Sequence, residues 1–236
     1  MTPLLERAGV LGKPNALTEK VLGEFAAYEA AQQKETPSMR YADLLSRVYK
    51  KLATHWGTTI SDAEAVKFGR SIRDWRPFPD TVDALAYLNR HYEKLVILSN
   101  VDRDSFAATN KLLKVKFGKI YTAEDIGSYK PDLRNFEYLL RQLEGQGFLK
   151  SDILHVAQSK FHDLMPATEI GLATAWIDRH QDGMGWGGSK VPKDARINVD
   201  FYFRSLSEFV ERHKAEQDYA KDQGIEKGYG DFYEKG

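Results

Sequence analysis

Cysteine is absent from the 236 residues of this chain, which excludes disulfides, thiolate zinc sites, iron–sulfur clusters and a cysteine nucleophile. A net charge is also absent, because 34 Lys and Arg residues balance 34 Asp and Glu residues. We therefore expect no nucleic-acid partner and no membrane partner. Apolar runs fall far short of the roughly 20 residues that span a bilayer, and the first seven residues lack the apolar core of a secretory signal. These absences predict a soluble, cytoplasmic globular protein.

The first third of the chain has a helical pattern. Apolar residues recur at three- and four-residue spacings in Leu17–Glu35 and again in Tyr41–Trp56, as on the buried face of a helix. Pro37 ends the first of these helices, because its ring cannot continue the hydrogen-bond ladder. A third helix is predicted to begin at Ser61, which opens a capping box of the form S-x-x-E. Residues 1–76 are therefore predicted to form a helical domain.

After Pro77 the pattern changes to alternating strands and helices. The predicted strands are Lys94–Leu98, Lys119–Thr122, Ile153–Ala157, Ala173–Ile177 and Asp200–Phe203. The predicted helices are one capped by Asp80 that runs to about Tyr92, then Arg103–Leu113, Leu133–Leu143, Phe161–Ile170 and Ser205–His213. This alternation predicts an α/β block over residues 77–214, with a mostly parallel sheet covered on both faces. Gln181–Ile197 is predicted to be a loop, and we expect the polar tail, residues 215–236, to be mobile.

Polar residues follow three of the predicted strands. They lie at the carboxyl edge of the sheet, where α/β proteins bind ligands and form their active sites. In chain order these residues are Ser99 and Asn100, then Lys130 in the phrase Tyr-Lys-Pro-Asp, then Gln158, Lys160 and Asp163. From the residues alone, each also has a structural interpretation. The serine and asparagine can cap the next helix, the lysine can lie on the surface, and the aspartate is a favourable charge in a first helical turn.

The order of hydroxyl and amide, then lysine, then aspartate resembles the second, third and fourth motifs of the haloacid dehalogenase superfamily. The phrases Leu95–Asn100, Tyr129–Asp132 and Gly171–Arg179 are similar to those of type II 2-haloacid dehalogenases. The helical block resembles the cap of that branch, and the likeness extends from Pro3 to about His213. The resemblance implies a Rossmann-like core with an α-helical cap. It also implies a small carboxylic-acid substrate and a homodimer formed through helical surfaces.

The resemblance further implies hydrolysis through a covalent ester on an aspartate nucleophile. Lys130 would keep that nucleophile ionised, and Asp163 would position Lys130 and the hydrolytic water. Ser99 and Asn100 would donate hydrogen bonds to the carboxylate of the substrate. No metal and no other cofactor are expected.

The sequence departs from the dehalogenase pattern at several places. Gln158 and Lys160 stand where a serine and an asparagine are usual, and we assign both to substrate binding. Phe25-Ala26-Ala27 occupies about the place of the arginine that receives the leaving halide. The nucleophile of the family lies upstream of the cap, in a phrase resembling F-D-x-Y-G-T-L, and that phrase does not occur in this sequence.

The missing phrase would carry the first and central strand of the core, which lies between the strands that end at Leu98 and Ala157. We expect those two strands either to face a gap or to close to the usual spacing of about 4.8 Å. Unpaired buried backbone groups cost about 1–3 kcal/mol each, which favours a wrong start codon or an incomplete sequence over a pseudoenzyme. Beneath the cap, Ser99, Asn100, Lys130 and Asp163 are expected to cluster at the carboxyl edge of the sheet. Lys130 and Asp163 are expected to pair with each other or with solvent.

Three functions remain as hypotheses. The first is a hydrolase related to 2-haloacid dehalogenases, inactive as given because it lacks the nucleophile. The second is a non-catalytic binding or interaction protein that keeps the cleft. The third, a magnesium-dependent phosphatase, is less favoured, because Gln158 and Ser159 stand where an acidic ligand is expected. The glycine-rich segment Gly183–Gly188 is interpreted as a surface turn rather than a nucleotide loop.

Overall fold

The computed structural model of the chain describes residues 2–9, 14–179 and 191–224. The helices are α1 (Thr2–Arg7), α2 (Pro14–Glu35), α3 (Tyr41–His55), α4 (Asp62–Arg70), α5 (Thr81–His91), α6 (Arg103–Leu113), α7 (Ala123–Ile126), α8 (Arg134–Glu144), α9 (Met165–Glu169) and α10 (Leu206–Asp222). The strands are β1 (Val96–Ser99), β2 (Lys119–Thr122), β3 (Leu154–Ala157), β4 (Ala173–Ile177) and β5 (Phe201–Phe203). Within these residues, no helix combines the length and the apolar character that a membrane crossing requires.

Helices α1 to α4 pack around one apolar core and form the helical block, which we call the cap. The buried residues of α3 follow the predicted helical spacing, and four of them are fully inaccessible: Leu44, Leu45, Val48 and Leu52. Helix α4 begins with the predicted capping box, in which the Ser61 hydroxyl accepts from the Glu64 amide at 3.2 Å and the Glu64 carboxylate accepts from the Ser61 amide at 2.9 Å. The three helices predicted in this part of the chain are therefore present, as α2, α3 and α4.

Gly69 lets α4 approach the backbone of α3, and replacing it with Ala is expected to destabilise the fold by about 1–3 kcal/mol. A Cβ atom at this position would overlap the Ala42 carbonyl oxygen and the Ser46 hydroxyl. The matched control is Gly23→Ala in α2, where a Cβ would meet nothing within 4 Å. That change is expected to stabilise the chain by about 0.5–1 kcal/mol, because Ala is the better helix former. Urea unfolding of Gly69→Ala and Gly23→Ala measures both effects. If Gly69→Ala were as stable as the unchanged protein, the close approach of α4 to the α3 backbone would be contradicted.

All strand pairs in the described residues are parallel, which confirms the predicted α/β class, but they form two sheets. Strand β1 pairs with β2, and β3, β4 and β5 form a separate sheet in that order. Strands β1 and β3 are not paired with each other, so the closure considered above does not occur. Their exposure fits open edges: all four residues of β1 are only partly buried and Val156 of β3 is 37% exposed, whereas Ala175 of the central strand β4 is inaccessible.

The C-terminal helix extends further than predicted. Composition alone predicts a mobile tail after Ala215, whereas α10 continues to Asp222. A surface helix needs only one buried stripe, and Phe209, Val210 and Ala220 provide it, each with no more than 7% of its surface exposed. Residues 225–236 of the predicted tail lie outside the described residues, as do positions 183–188 of the glycine-rich segment.

Asp80 has a different role from the helix cap that its position predicts. Its side chain makes no capping hydrogen bond to α5. Instead both carboxylate oxygens accept from the Arg179 guanidinium, at 2.8 and 2.9 Å, and the carboxylate also accepts from the amide of Leu206 at 2.8 Å. Asp80 therefore connects the start of α5 to the segment after β4 and to the start of α10.

The cap is fastened to the α/β core by polar contacts at the start of α3. The Arg40 guanidinium lies 2.7 Å from the Asp104 carboxylate and 3.6 Å from that of Glu124. The Asp102 carboxylate, which is 1% exposed, accepts from the Ala42 amide at 3.0 Å. These contacts fix the position of the cap over the carboxyl ends of β1 and β2.

Candidate functional site

A cavity of about 260 Å³ lies between the cap and the core. The cap lines it with Ala26, Glu29, Gln33 and Tyr41, and the core lines it with Asn100, Lys130, Gln158, Ser159, His162 and Asp163. Residues just after β1 and just after β3 meet here, as expected for the carboxyl ends of parallel strands. A larger hollow, about 440 Å³, is lined only by residues of α4 and the turn after it, and holds none of the predicted site residues.

Lys130 and Asp163 form a buried ion pair at the floor of this cavity. The Lys130 ammonium lies 2.6 Å from Asp163 Oδ1, and the two residues are 7% and 8% exposed. The same oxygen lies 3.1 Å from Nε2 of His155. Burial opposes ionisation of Asp163, but the Lys130 charge and the His155 contact outweigh it and hold the pKa of this carboxyl well below its usual range. Asp163 is therefore a stable carboxylate.

The backbone and side chain of Lys130 are both held in place. The Asn100 side chain accepts from the Lys130 amide at 2.7 Å and donates to the Lys130 carbonyl at 3.0 Å. The ammonium also donates to the carbonyl of Leu98, at 2.8 Å. An ammonium has three N–H donors, and protein groups use two of them here. As far as residues 2–9, 14–179 and 191–224 are concerned, one donor of Lys130 remains for a bound carboxylate or for water.

His162 lies beside the ion pair as a neutral ring. Burial lowers the pKa of His162 to about 4, with the positive charge of Lys130 acting in the same direction and Asp163 against it. Its Nδ1 lies 3.3 Å from the Ser159 hydroxyl, and its Nε2 is buried with no hydrogen-bond partner among the described residues. A ring that stays neutral at pH 7 adds no second positive charge to the cavity.

The cap side of the cavity carries a carboxyl group that sequence reasoning missed. Glu29 Oε1 accepts from the Tyr41 hydroxyl at 2.6 Å and lies 3.4 Å from the Gln33 amide nitrogen. Burial raises the pKa of Glu29, although the Tyr41 hydrogen bond acts in the opposite direction. The one signal in the sequence is the spacing of Glu29 and Gln33 by four residues, which puts both on one face of α2.

The structure brings together only some of the predicted site residues. Lys130, Asp163, Asn100 and Gln158 line the cavity, whereas Ser99 and Lys160 do not. The Lys160 ammonium instead lies 3.5 Å from the centre of the Trp176 ring, and the Ser99 hydroxyl accepts a long bond of 3.4 Å from the Val101 amide. The separate prediction that Ser99 or Asn100 caps the following helix is wrong.

Asp102 is the residue that caps α6. Its carboxylate accepts from the Ser105 amide at 2.8 Å and from the Ser105 hydroxyl at 2.9 Å. Capping requires an extended residue directly before the first helical turn, and Asp102 holds that place. Asn100 is left to hold the backbone of Lys130.

A magnesium ion does not fit the donor groups of this cavity. Mg²⁺ takes oxygen ligands, usually one or two carboxylates together with water or phosphate. Asp163 is the one carboxylate on the core side of the cavity lining, and it already lies against an ammonium. Across residues 2–9, 14–179 and 191–224, no three His, Asp or Glu side chains group closely enough to hold a metal ion.

Comparison with known proteins relates this chain to a family of hydrolases. The model of the family described as haloacid dehalogenase-like hydrolase matches residues 16–177. The chain is 28% identical over 128 residues to an (S)-2-haloacid dehalogenase of Pseudomonas putida, a match that covers 53% of this chain and 55% of that protein. It is 27% identical over 140 residues to a glyceraldehyde 3-phosphate phosphatase of Methanocaldococcus jannaschii, covering 58% and 56%. The chain thus spans about half the length of the curated relatives it matches.

The fold is also similar to that of a solved L-2-haloacid dehalogenase from Xanthobacter autotrophicus, which carries covalently bound chloropropionic acid. The TM-score is 0.65 at 15% sequence identity, and the match covers 81% of this chain and 82% of that one. The likeness extends over most of both chains and confirms the fold.

Proposed function

Because the chain belongs to the haloacid dehalogenase-like hydrolase family, we propose that it acts in hydrolytic displacement at C2 of small 2-substituted carboxylic acids. The observation that carries the proposal is the buried Lys130–Asp163 pair, which keeps one ammonium donor available in a small cavity. Ligand cavities range upward from about 300 Å³, so a cavity at the lower end suits an acid of a few carbons.

Each core residue has a role in this proposal. Lys130 holds a nucleophilic carboxylate ionised, since an adjacent positive charge favours the charged form. Asp163 Oδ2 accepts no hydrogen bond from the described residues, so it is available to orient the water that hydrolyses the ester. Asn100 and Gln158 contact the substrate from the ends of β1 and β3. In this proposal the nucleophile is not among the residues of this sequence, and the chain as given is inactive.

Halide release from chloroacetate and 2-chloropropionate tests the proposal. We expect none from the chain as given. Extending the chain at its N-terminus by a strand that ends in an aspartate should restore release, because the open edges of β1 and β3 can accept a parallel strand. Lys130→Met in the extended protein should lower kcat by about 10²–10³, the usual effect of removing one group that stabilises charge.

Two controls complete this test. Replacing the added aspartate with Asn should abolish release while the extended protein stays folded. No release from the extended protein across several small acids would contradict the dehalogenase activity. Binding of those acids without turnover would instead support a non-catalytic binding protein.

The likeness to a phosphatase supports a second candidate function, hydrolysis of a small phosphate ester. The donor groups of the cavity favour it less, because they do not fit the magnesium ion that such hydrolysis would use. This candidate requires phosphate release that depends strictly on magnesium and stops on chelation. The dehalogenase proposal predicts activity that survives a chelator, because a lysine carries the positive charge at the site. Assays with and without EDTA, on both substrate classes, therefore separate the two candidates.

A further inference from the structure

We propose that Glu29 on the cap selects substrates that carry a hydrogen-bond donor, a hydroxyl or an ammonium group, on the side opposite Lys130. This inference rests on the proposed function, because it takes a small carboxylic acid as the ligand of the cavity. In the chain as given, where no nucleophilic carboxylate among the described residues faces Lys130, we assign the carboxylate of the acid to the remaining donor of Lys130. It concerns a residue of the cap that the proposed chemistry does not use.

The geometry of the cap side supports this role. Both hydrogen bonds that the structure gives to the Glu29 carboxyl fall on Oε1, from Tyr41 at 2.6 Å and from Gln33 at 3.4 Å. Oε2 accepts none from the described residues. Tyr41 and Gln33 are 8% and 6% exposed, so packing holds the two donors and they fix the orientation of the carboxyl. Within the described part of the chain, Oε2 is thus an acceptor without a hydrogen-bond partner, in a residue that lines the cavity.

The charges around the cavity favour a donor group over a halide at this end. A carboxylate repels a departing anion and accepts hydrogen bonds from O–H or N–H groups. Burial raises the pKa of Glu29, whereas the hydrogen bond from Tyr41 acts in the opposite direction and favours the carboxylate. The positive charge on the core side belongs to Lys130, where Asp163 balances it. A bound acid therefore meets a cation at one end and a hydrogen-bond acceptor at the other.

The test is a binding comparison on the full chain, by calorimetry, with four acids on one carbon skeleton. The acids are propionate, lactate, alanine and 2-chloropropionate, repeated in the four-carbon series. We expect at least one donor-bearing acid, with a hydroxyl or an ammonium, to bind about tenfold more tightly than its chloro counterpart. A tenfold ratio corresponds to about 1.4 kcal/mol, which is within the range of the net contribution of one hydrogen bond.

Two variants identify the group that binds. Glu29→Gln keeps an acceptor oxygen and removes the charge, so a preference for ammonium should disappear while a preference for hydroxyl is only weakened. Glu29→Leu removes the acceptor and should bring both ratios to about one. Glu35→Gln is the matched control on the same helix, because the Glu35 side chain is 59% exposed and pairs with Lys51 away from the cavity. Circular dichroism confirms that each variant is folded, and Glu29→Gln keeps the test available if the Leu variant unfolds.

Lys130→Met separates failure of this inference from failure of the proposed function. This variant should weaken the binding of all four acids by the same factor, and it should leave the ratios between their dissociation constants unchanged. Ratios near one in the unchanged protein, with binding still lost in Lys130→Met, would overturn the role of Glu29 and leave the proposed function standing. Ratios that depend on Glu29, with no effect of Lys130→Met, would overturn the proposed function. No binding of any acid would overturn both.

Discussion

Lys130→Met is expected to lower the free energy of unfolding by about 3–5 kcal/mol, the usual cost of removing one partner of a buried ion pair. Asp163 is 8% exposed in the native protein, and the variant leaves its carboxylate with His155 as the one side-chain partner among the described residues. Methionine fills most of the space of the lysine stem, so the loss comes mainly from the uncompensated charge. Urea unfolding at pH 7 measures it. Lys51→Met is the control, because its 2.8 Å pair with Glu35 is exposed and should contribute no more than about 1 kcal/mol.

The double variant Lys130→Met, Asp163→Leu distinguishes a buried charge from poor packing. Removing both charges should recover most of the stability lost in the single variant, since apolar replacements of buried ion pairs are often neutral. A single variant within 1 kcal/mol of the unchanged protein would show that water reaches the pair in solution. A double variant as unstable as the single one would assign the loss to packing.

The meeting of Lys130 and Asp163 could be predicted from the sequence because simple rules place both residues. Each follows a strand of apolar and β-branched residues, and the carboxyl ends of parallel strands lie at one edge of a sheet. Strand Lys119–Thr122, which precedes Lys130, coincides with its predicted bounds, and the strand before Asp163 ends at Ala157, as predicted. Periodicity and chain order predict that both residues lie at one edge of a sheet, and the resemblance to the dehalogenase motifs singles out these two.

The direction of a side chain after a strand could not be predicted in the same way. Ser99 and Lys160 lie as close to strand ends as Asn100 and Gln158, yet they do not line the cavity. Lys160 opens a π-helical turn, Lys160–Leu164, and its ammonium lies over Trp176. That local backbone turn and the position of the aromatic ring decide the orientation of Lys160, and neither has a signature in the spacing of residues.

The cap side of the cavity depends on contacts between residues far apart in sequence. Glu29 reaches the cavity because the start of α3 is fixed to the core, through Arg40 and through the hydrogen bond that Tyr129 donates to the Met39 carbonyl. From the sequence alone, Glu29 is one of many charged residues on a helix, and Tyr41 is one more apolar position. Glu29 and Tyr41 form a hydrogen-bonded pair that faces the cavity only because α2 and α3 lie next to each other over the edge of the sheet.

Lowering the pH from 6.5 to 4 is expected to destabilise the native protein through His162. The ring has a pKa of about 4 when folded and about 6.5 when unfolded. Between these values the unfolded chain binds more protons, so the free energy of unfolding falls as the pH falls, by about 3 kcal/mol over the whole interval. Asp163 acts at lower pH. Its pKa in the folded protein lies below the ordinary value of 3.8, so its contribution to the free energy of unfolding is lost only as the pH falls below about 3.8.

The measurement is urea unfolding at several pH values between 7 and 4, for the unchanged protein and for His162→Gln. Glutamine cannot titrate, so the variant should lose stability less steeply over this interval. Burial raises the pKa of Glu29, so Glu29 increases the free energy of unfolding as the pH falls, the opposite of the effect of His162. Both proteins contain Glu29, and its contribution therefore cancels when their pH curves are subtracted. His55→Gln is the control, because that ring is 43% exposed and lies in the cap. Parallel pH curves for His162→Gln and the unchanged protein would show that the His162 ring is hydrated in the native state.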